Sequence, residues 1–173
     1  MKPHDLVATF AAAVKRSEPM TAARAALEEL KGHTGELDEA LRYITGVGGN
    51  ARQVFYRSPD LTLLKVCFPI GRRTPPHDHG TWATILLLYG EEKNTLYRVE
   101  GGRLRKASEV TIKPGSILSI RADTPHVVDC VGNAPTIGLH VYGGDIFECP
   151  RRLWDPTTLE ANRPDLTLYE KFV

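Results

Sequence analysis

The sequence predicts a mainly β protein, an all-β barrel or sandwich, with helices at its N-terminus that pack outside it. As far as about residue 49, apolar residues recur at helical spacing. From Arg52 onward, short β-prone runs alternate with glycine and proline turns, and turns every roughly eight to twelve residues are typical of β barrels and sandwiches. At 173 residues the chain suits one domain, with a helical region over 1–49, a barrel core over 50–156 and a C-terminal tail over 157–173.

Three helices are predicted before the β region. They span Asp5 to about Arg16, about Thr21 to Leu30, and about Glu36 to Thr45. Gly32 is the expected stop after the second helix, and Leu37, Leu41 and Ile44 share one face of the third. We interpret the helices as a packing layer over a sheet, because none of them carries a chemical motif.

The β region predicts a series of short strands. They cover residues 54–56, 61–68, 84–89, 95–99, 110–112, 117–120, 126–131 and 136–142. Proline and glycine mark the turns between them, as in Lys113-Pro114-Gly115. Beyond Gly144 the pattern is less regular, so we expect residues 151–156 to form a covering loop and residues 159–173 to pack outside the barrel.

Composition excludes several classes of function. Lysine and arginine number 22 against 21 acidic residues, and a net charge of +1 offers no electrostatic case for binding nucleic acid or a membrane surface. Three scattered cysteines are too few for a disulfide framework and fit a reduced, cytoplasmic compartment. We see no signal peptide and no apolar run long enough to span a membrane.

The segment around His77 and His79 carries the first chemical signal. Side chains alternate across an extended strand, so these two imidazoles share a face about 6 to 7 Å apart along it, and Asp78 points the other way. Two imidazoles on one face can bind one metal ion. A His-x-His motif alone is weak, because two polar residues in a turn would look the same.

Later histidines strengthen the metal hypothesis. His126 opens a strand after a turn, and His140 lies on a strand face that it shares with Gly138 and Tyr142. A single buried histidine is usually a hydrogen-bonded core residue, but four in the β region favour a metal site. His126 and His140 both lie on late strands. Sequence position alone therefore does not show which of them binds the metal together with His77 and His79.

These motifs resemble those of the cupin family. Gly71, His77-x-His79 and Gly90 resemble the first cupin motif, and Pro114-x-x-Ile117 with the later His126 resembles the second. The resemblance implies a double-stranded β-helix, a jelly-roll-like barrel. Cupins usually place a glutamate where this chain has Ala83 and Thr84, and Glu91 and Glu92 fall beyond the predicted strand. The resemblance therefore implies a metal site without a carboxylate.

A cupin with three histidines and no such glutamate resembles the thiol dioxygenases, which include cysteine dioxygenase and bacterial 3-mercaptopropionate dioxygenase. The similar segments are 77–79, 125–128, 139–145 and, closer to the mercaptopropionate branch, 151–156. Together the likeness covers roughly residues 50–156. It implies that His77, His79 and His126 bind Fe(II), and that a thiol is oxidised to a sulfinic acid with O₂.

The same resemblance implies roles for four further residues. Tyr142 would hydrogen-bond the reacting groups, with His140 orienting its hydroxyl. Arg52 matches the arginine that binds substrate in the cysteine branch, which a glutamine replaces in the mercaptopropionate branch. Because Gln53 lies beside Arg52, an alignment shift of one residue would exchange the two. Arg151 matches the loop arginine of the mercaptopropionate branch. A guanidinium binds a carboxylate bidentately. For each arginine the alternative is an ordinary surface charge.

Two positions depart from the family pattern. Gly138 stands where the family often has a serine, so a Ser-His-Tyr relay would lack its first member. Thr84 occupies the apparent position of the cysteine that some members cross-link to the tyrosine, so no cross-link is expected.

Other functions stay open at this point. A cupin of this kind can be a non-catalytic metal-binding sensor or storage domain, a cupin isomerase or a dioxygenase acting on carbon. Our expected partners are a small thiol and O₂, with no nucleic acid and no membrane. The residues choose neither among cysteine, mercaptopropionate and mercaptosuccinate nor between oligomeric states.

Overall fold

The structure, a computed structural model, describes residues 2–42 and 52–162. The predicted helical position Ile44, the boundary near Asn50 and the last part of the predicted tail lie outside the described residues. The division of the chain into helical region, core and tail therefore stays a prediction.

The described residues of the N-terminal region form three helices. They are α1 (Pro3–Ala13), α2 (Pro19–Leu30) and α3 (Thr34–Arg42), with a 3₁₀ turn at Lys31–His33 between the last two. Helix α2 begins at Pro19 rather than near Thr21, because proline suits the first turn of a helix, where its missing N–H would have no partner. Gly32 lies inside the 3₁₀ turn. No helix within the described ranges combines the length and apolarity needed to cross a membrane.

Ten strands follow in the described part of the chain. They are β1 (Arg52–Arg57), β2 (Thr62–Phe68), β3 (Ala83–Tyr89), β4 (Glu92–Glu100), β5 (Arg103–Ile112), β6 (Ile117–Ile120), β7 (His126–Cys130), β8 (Thr136–Tyr142), β9 (Leu153–Trp154) and β10 (Ala161–Asn162). Strand β5 is much longer than predicted, since most of its residues are exposed and it lies at the edge of its sheet, next to β4. An exposed edge strand has no apolar alternation for a sequence pattern to detect.

The described strands form two main antiparallel sheets in jelly-roll order and one two-stranded sheet. One main sheet runs β1-β2-β8-β3-β6, the other runs β5-β4-β7, and β9 pairs with β10. Isolated bridges from Arg73 to Asp129 and from His77 to His126 place segment 73–77 beside β7, on the side away from β4. When that segment is counted as the strand after β2, strands β2 to β8 and the segment have the order of an eight-stranded jelly roll, and β1 is an additional strand at the edge. The predicted cupin-type, double-stranded β-helix fold is confirmed.

The five-stranded sheet is covered on both faces. On strand β8, Leu139 and Val141 belong to the apolar cluster formed with the N-terminal helices, whereas Tyr142 belongs to the cluster inside the two sheets. Phe10 and Leu27 are buried in the outer cluster, so the helices pack outside the β core as predicted. The period of two along β8 thus turns His140 and Tyr142 into the interior.

Candidate metal centre

Three histidines converge in the interior between the sheets. Each of His77, His79 and His126 offers one ring nitrogen, and these atoms lie within 4.8 Å of one another. The side chains are 2%, 5% and 1% exposed. Three imidazole nitrogens this close together are a donor set for a single transition-metal ion.

Backbone pairing brings the three rings together. The N–H of His77 donates to the carbonyl of His126 over 3.1 Å, and the N–H of His126 donates back over 2.8 Å. Residues directly opposite each other in an antiparallel pair share a face, and His79 returns to that face two residues later. Gly80 then takes a φ of +64°, and a Cβ there would lie 2.5 Å from the carbonyl oxygen of Pro150. Only glycine fits this turn.

Hydrogen bonds orient two of the rings. Nδ1 of His77 lies 2.9 Å from the carbonyl oxygen of Pro75, and Nδ1 of His126 lies 3.4 Å from that of Thr124. A carbonyl only accepts, so Nδ1 carries the proton and the lone pair of Nε2 is left for a ligand. Nδ1 of His79 is buried and has no hydrogen-bond partner among the described residues. A buried nitrogen without a partner fits a site that a metal ion completes.

All three imidazoles are neutral near pH 7. Burial lowers the pKa of His126 to about 4. Burial also holds the pKa of His77 and of His79 well below the usual range, with smaller contributions from the charges of His126 and Arg151. Because a metal binds the deprotonated imidazole, the residues present fit a bound metal ion.

The cavity beside the histidines is cationic and otherwise apolar. Its apolar wall is formed by Leu64, Val66, Phe68, Ile85, Val128 and Ile146. The lining is completed by five polar or charged residues: Thr74, His140, Tyr142, Arg52 and Arg151. None of the described residues that line the cavity is acidic. The sequence suggested a metal site without a carboxylate ligand, and the described lining of the cavity contains no carboxylate at all.

Both arginines reach this cavity from different elements. Arg52 opens strand β1, and Arg151 lies in the loop after β8, where its side chain is buried and donates to the carbonyl of Ile146. Gln53 is not among the lining residues, because its side chain alternates to the other face of β1. The structure thus places Arg52 rather than Gln53 in the cavity.

Tyr142 and His140 form a pair next to the three histidines. The Tyr142 hydroxyl lies 3.1 Å from Nδ1 of His140, and the Tyr142 ring stands edge-on to the His79 ring at 5.1 Å. His140 is outside the three-histidine group, so the structure separates it from His126, which the residues alone did not. Burial lowers the pKa of His140 to about 3, which keeps its ring neutral.

Gly138 leaves the His140 ring without a second partner. A Cβ at residue 138 would lie 3.1 Å from Nε2 of His140, so the ring occupies the space that a side chain would need. Nε2 is buried and unpaired within the described residues. The relay implied by the family resemblance therefore has only its histidine and tyrosine members.

Two residues that the sequence analysis named, Thr84 and Glu92, lie away from the cavity. On β3 the residue opposite Tyr142 is Ala83, while Thr84 faces the other side and lies 2.9 Å from the Ser119 hydroxyl. Neither Ala83 nor Thr84 is a cysteine that could be cross-linked to Tyr142. Glu92 lies on strand β4 and is buried against Thr136, outside the cavity lining.

Sequence reasoning missed the partner of Asp78. Its carboxylate accepts from the backbone N–H of Arg152 over 2.7 Å and from Nε–H of the same residue over 2.6 Å. The alternation of the His77–His79 segment correctly turned Asp78 away from the cavity. Nothing local in the sequence indicates a partner 74 residues later.

The comparisons with known proteins find likeness in structure only. No family model matches the chain, and no curated protein matches it. Three similar solved structures are an uncharacterized conserved protein with a double-stranded β-helix domain from Klebsiella pneumoniae, a cupin superfamily protein from Desulfitobacterium hafniense and the DMSP lyase DddQ from Ruegeria pomeroyi.

All three likenesses are distant. The Klebsiella protein is 18% identical over 64% of this chain and 90% of its own, with a TM-score of 0.47. The Desulfitobacterium protein is 14% identical over 57% and 84%, with a TM-score of 0.45. The lyase is 24% identical over 57% and 45%, with a TM-score of 0.46. At such identities the likeness concerns the fold and not the activity.

Proposed function

We propose that this protein is an Fe(II)-dependent thiol dioxygenase that oxidises a small carboxylate-bearing thiol to its sulfinic acid. One observation carries the proposal: three neutral, buried imidazoles converge in a cavity that two arginines and a tyrosine also line, with no acidic residue among its described lining. Such a cavity suits an anionic substrate, because every charged group among the described residues that line it is positive.

His77, His79 and His126 would hold the metal. Bound there, Fe(II) supplies a redox-active centre that favours the thiolate form of a thiol and reacts with O₂. Three neutral ligands leave the ion's double positive charge uncompensated by the protein. In the overall reaction one thiol and one O₂ give one sulfinic acid, so that sulfur loses four electrons, O₂ gains four, and both oxygen atoms end on sulfur.

Arg52 and Arg151 supply the charge that a carboxylate needs. A carboxylate in a buried cavity is costly unless it is paired and hydrogen-bonded. A guanidinium pairs with it bidentately and so fixes the orientation of the substrate as well as its affinity. Holding both ends of a small substrate places the sulfur in the reacting geometry.

Tyr142 would hold a hydrogen bond at the reacting groups. Its hydroxyl lies 3.1 Å from Nδ1 of His140, and its ring stands edge-on to the His79 ring, next to the three-histidine group. When Nδ1 of the neutral His140 donates to the Tyr142 oxygen, the Tyr142 hydroxyl acts as a donor toward the cavity. A donor aimed at developing negative charge speeds a reaction.

Oxygen consumption by the iron-loaded protein tests the proposal. Protein loaded anaerobically with Fe(II) is mixed with cysteine, 3-mercaptopropionate, mercaptosuccinate or the neutral 3-mercapto-1-propanol, and O₂ uptake is followed with an electrode. We expect one O₂ consumed per acidic thiol and a sulfinate that carries both atoms of labelled oxygen. Iron retention without thiol-dependent O₂ uptake would support the non-catalytic alternative, and activity on a thiol-free substrate would support an isomerase or a carbon dioxygenase.

A further inference from the structure

The buried Asp78 joins the metal-binding segment to the loop that carries Arg151. Asp78 is 1% exposed, and its two carboxylate oxygens accept from the backbone N–H and the Nε–H of Arg152, over 2.7 and 2.6 Å. In addition, the backbone N–H of Asp78 donates to the carbonyl of Arg152 over 3.1 Å. Three hydrogen bonds thus connect one residue to the other, two of them charge-assisted at the carboxylate.

The contact continues on both sides of this pair. His77 bridges to Leu153, and the N–H of Trp154 donates to the carbonyl of Pro76 over 3.0 Å. Residues 152–154 therefore run antiparallel beside residues 76–78. The metal-binding segment lies between strand β7 on one side and residues 152–154, which include β9, on the other.

The anchored residue directly follows Arg151. Because the backbone N–H and carbonyl of Arg152 are both bonded to Asp78, the peptide that leaves Arg151 has a fixed position. Arg151 itself is 6% exposed, donates to the carbonyl of Ile146 and lines the cavity with the three histidines. The bond to Ile146 and the fixed position of Arg152 one residue later both hold its guanidinium in the cavity.

Charge explains why a carboxylate is suited to this anchor. A buried carboxylate must be paired, and Arg152 pairs it on the side away from the cavity. Asp78 therefore leaves the positive charge in the cavity intact while it fixes the loop. An asparagine at this position would keep the shape but accept through only one oxygen and carry no charge.

We propose that Asp78 is a positioning residue that holds Arg151 in the cavity through Arg152. The ligand that Arg151 would bind, a carboxylate-bearing thiol, rests on the proposed function, whereas the position of Arg151 does not. If Asp78 only supported the histidine segment, its substitution would weaken metal binding. If it positions Arg151, its substitution changes the exposure of Arg151 and the binding of acidic ligands.

Chemical modification of arginine tests the position without any substrate. Phenylglyoxal modifies accessible arginines, and peptide mass spectrometry gives the rate at each one. In Asp78→Asn we expect Arg151 to react at least several-fold faster than in the unaltered protein, with the rate at Arg52 unchanged. Asp129→Asn is the matched control, because Asp129 pairs with Arg73 on the same segment over 2.7 Å and with Lys93 on β4. An unchanged rate at Arg151 overturns the proposal.

Ligand binding gives the second readout. Thiolate bound to Co(II) has an absorption band, so Co(II)-loaded protein can be titrated with 3-mercaptopropionate and with 3-mercapto-1-propanol. Asp78→Asn should weaken binding of the acid about 10-fold, the effect of weakening one hydrogen bond to a charged group, and leave the alcohol unchanged. In an Arg151→Ala background the same substitution should cost nothing further.

The outcomes separate the two ideas. Equal losses for both thiols, lost Co(II) binding, or a full additional loss in the Arg151→Ala background would overturn the positioning role. If the unaltered protein binds no thiol, the proposed function fails and the modification rates alone decide the role of Asp78. Arg152→Gln, which keeps the backbone bond, should give an intermediate rate at Arg151 and serves as the second variant if Asp78→Asn fails to fold.

Discussion

His77 and His126 lie directly opposite each other and exchange two backbone hydrogen bonds, of 3.1 and 2.8 Å. Their ring centroids are 4.4 Å apart. The spacing of these two rings is therefore set by the backbone and not by flexible side chains, which is the kind of support that a metal site needs. His79 completes the group from the next position on the same face.

Removing one of the three rings should abolish metal retention. In His126→Ala the two remaining imidazoles form a weaker and misshapen site, so iron measured by mass spectrometry after gel filtration should fall close to zero. His33→Ala is the control, because His33 is exposed and pairs only locally with Glu36. Full iron occupancy in His126→Ala would remove His126 from the ligand set.

Loss of the Tyr142 hydroxyl should slow turnover without loss of metal. Tyr142→Phe keeps the ring against His79 and removes the group that lies 3.1 Å from His140. We expect kcat to fall roughly 10- to 100-fold, on the order of one lost hydrogen bond to developing charge. Oxygen uptake at saturating thiol measures this, and an unchanged rate would assign Tyr142 to packing.

Truncation of an arginine should affect acidic thiols selectively. Arg52→Ala or Arg151→Ala should raise KM for a mercapto-acid by the equivalent of about 2 to 4 kcal/mol, because a buried carboxylate loses its partner. A neutral thiol should be affected little. Arg103→Ala is the control, since Arg103 is exposed and pairs with Glu160 on the surface.

The pattern of losses identifies the substrate contact. A selective loss in Arg52→Ala alone would place the protein nearer the cysteine branch, and a selective loss in Arg151→Ala alone nearer the mercaptopropionate branch. Selective losses in both would indicate a substrate with two carboxylates. Equal losses on acidic and neutral thiols would make the arginine structural.

The metal-free protein should lose stability as the pH falls from 7 to 5. The pKa of His126 is lowered to about 4 and that of His140 to about 3 by burial, from 6.5. The unfolded chain then binds protons first, so each histidine should cost about 2 kcal/mol of unfolding free energy at pH 5. Urea unfolding after chelation measures the loss.

A histidine variant isolates this effect. His140→Gln should reduce the loss between pH 7 and pH 5 by about 2 kcal/mol, because one buried titrating group is gone. His4→Gln should leave the loss unchanged, since the His4 side chain is 75% exposed. A pH dependence identical in His140→Gln and the unaltered protein would contradict the burial argument.

Local patterns were enough for much of the β core. Strands β6 and β8 have the bounds that the sequence predicts, Ile117–Ile120 and Thr136–Tyr142. Period-two alternation also placed His77 and His79 on one face with Asp78 on the other. Such predictions succeed because successive side chains on a strand point to opposite faces, whatever the rest of the fold is. Only the last residues of β5 were predicted, because most of the strand is exposed and carries no apolar signal.

By itself the sequence determined the mainly β class, the outer helical layer and the pair of histidines on one strand face, because each follows from short-range periodicity. Only the tertiary structure decided that His126 rather than His140 joins the pair, that Arg52 rather than Gln53 faces the cavity, and that Asp78 binds Arg152. These contacts depend on the register between segments far apart in the chain. A shift of one residue in register turns every side chain of a strand to the opposite face, and a local sequence pattern does not show which register is formed.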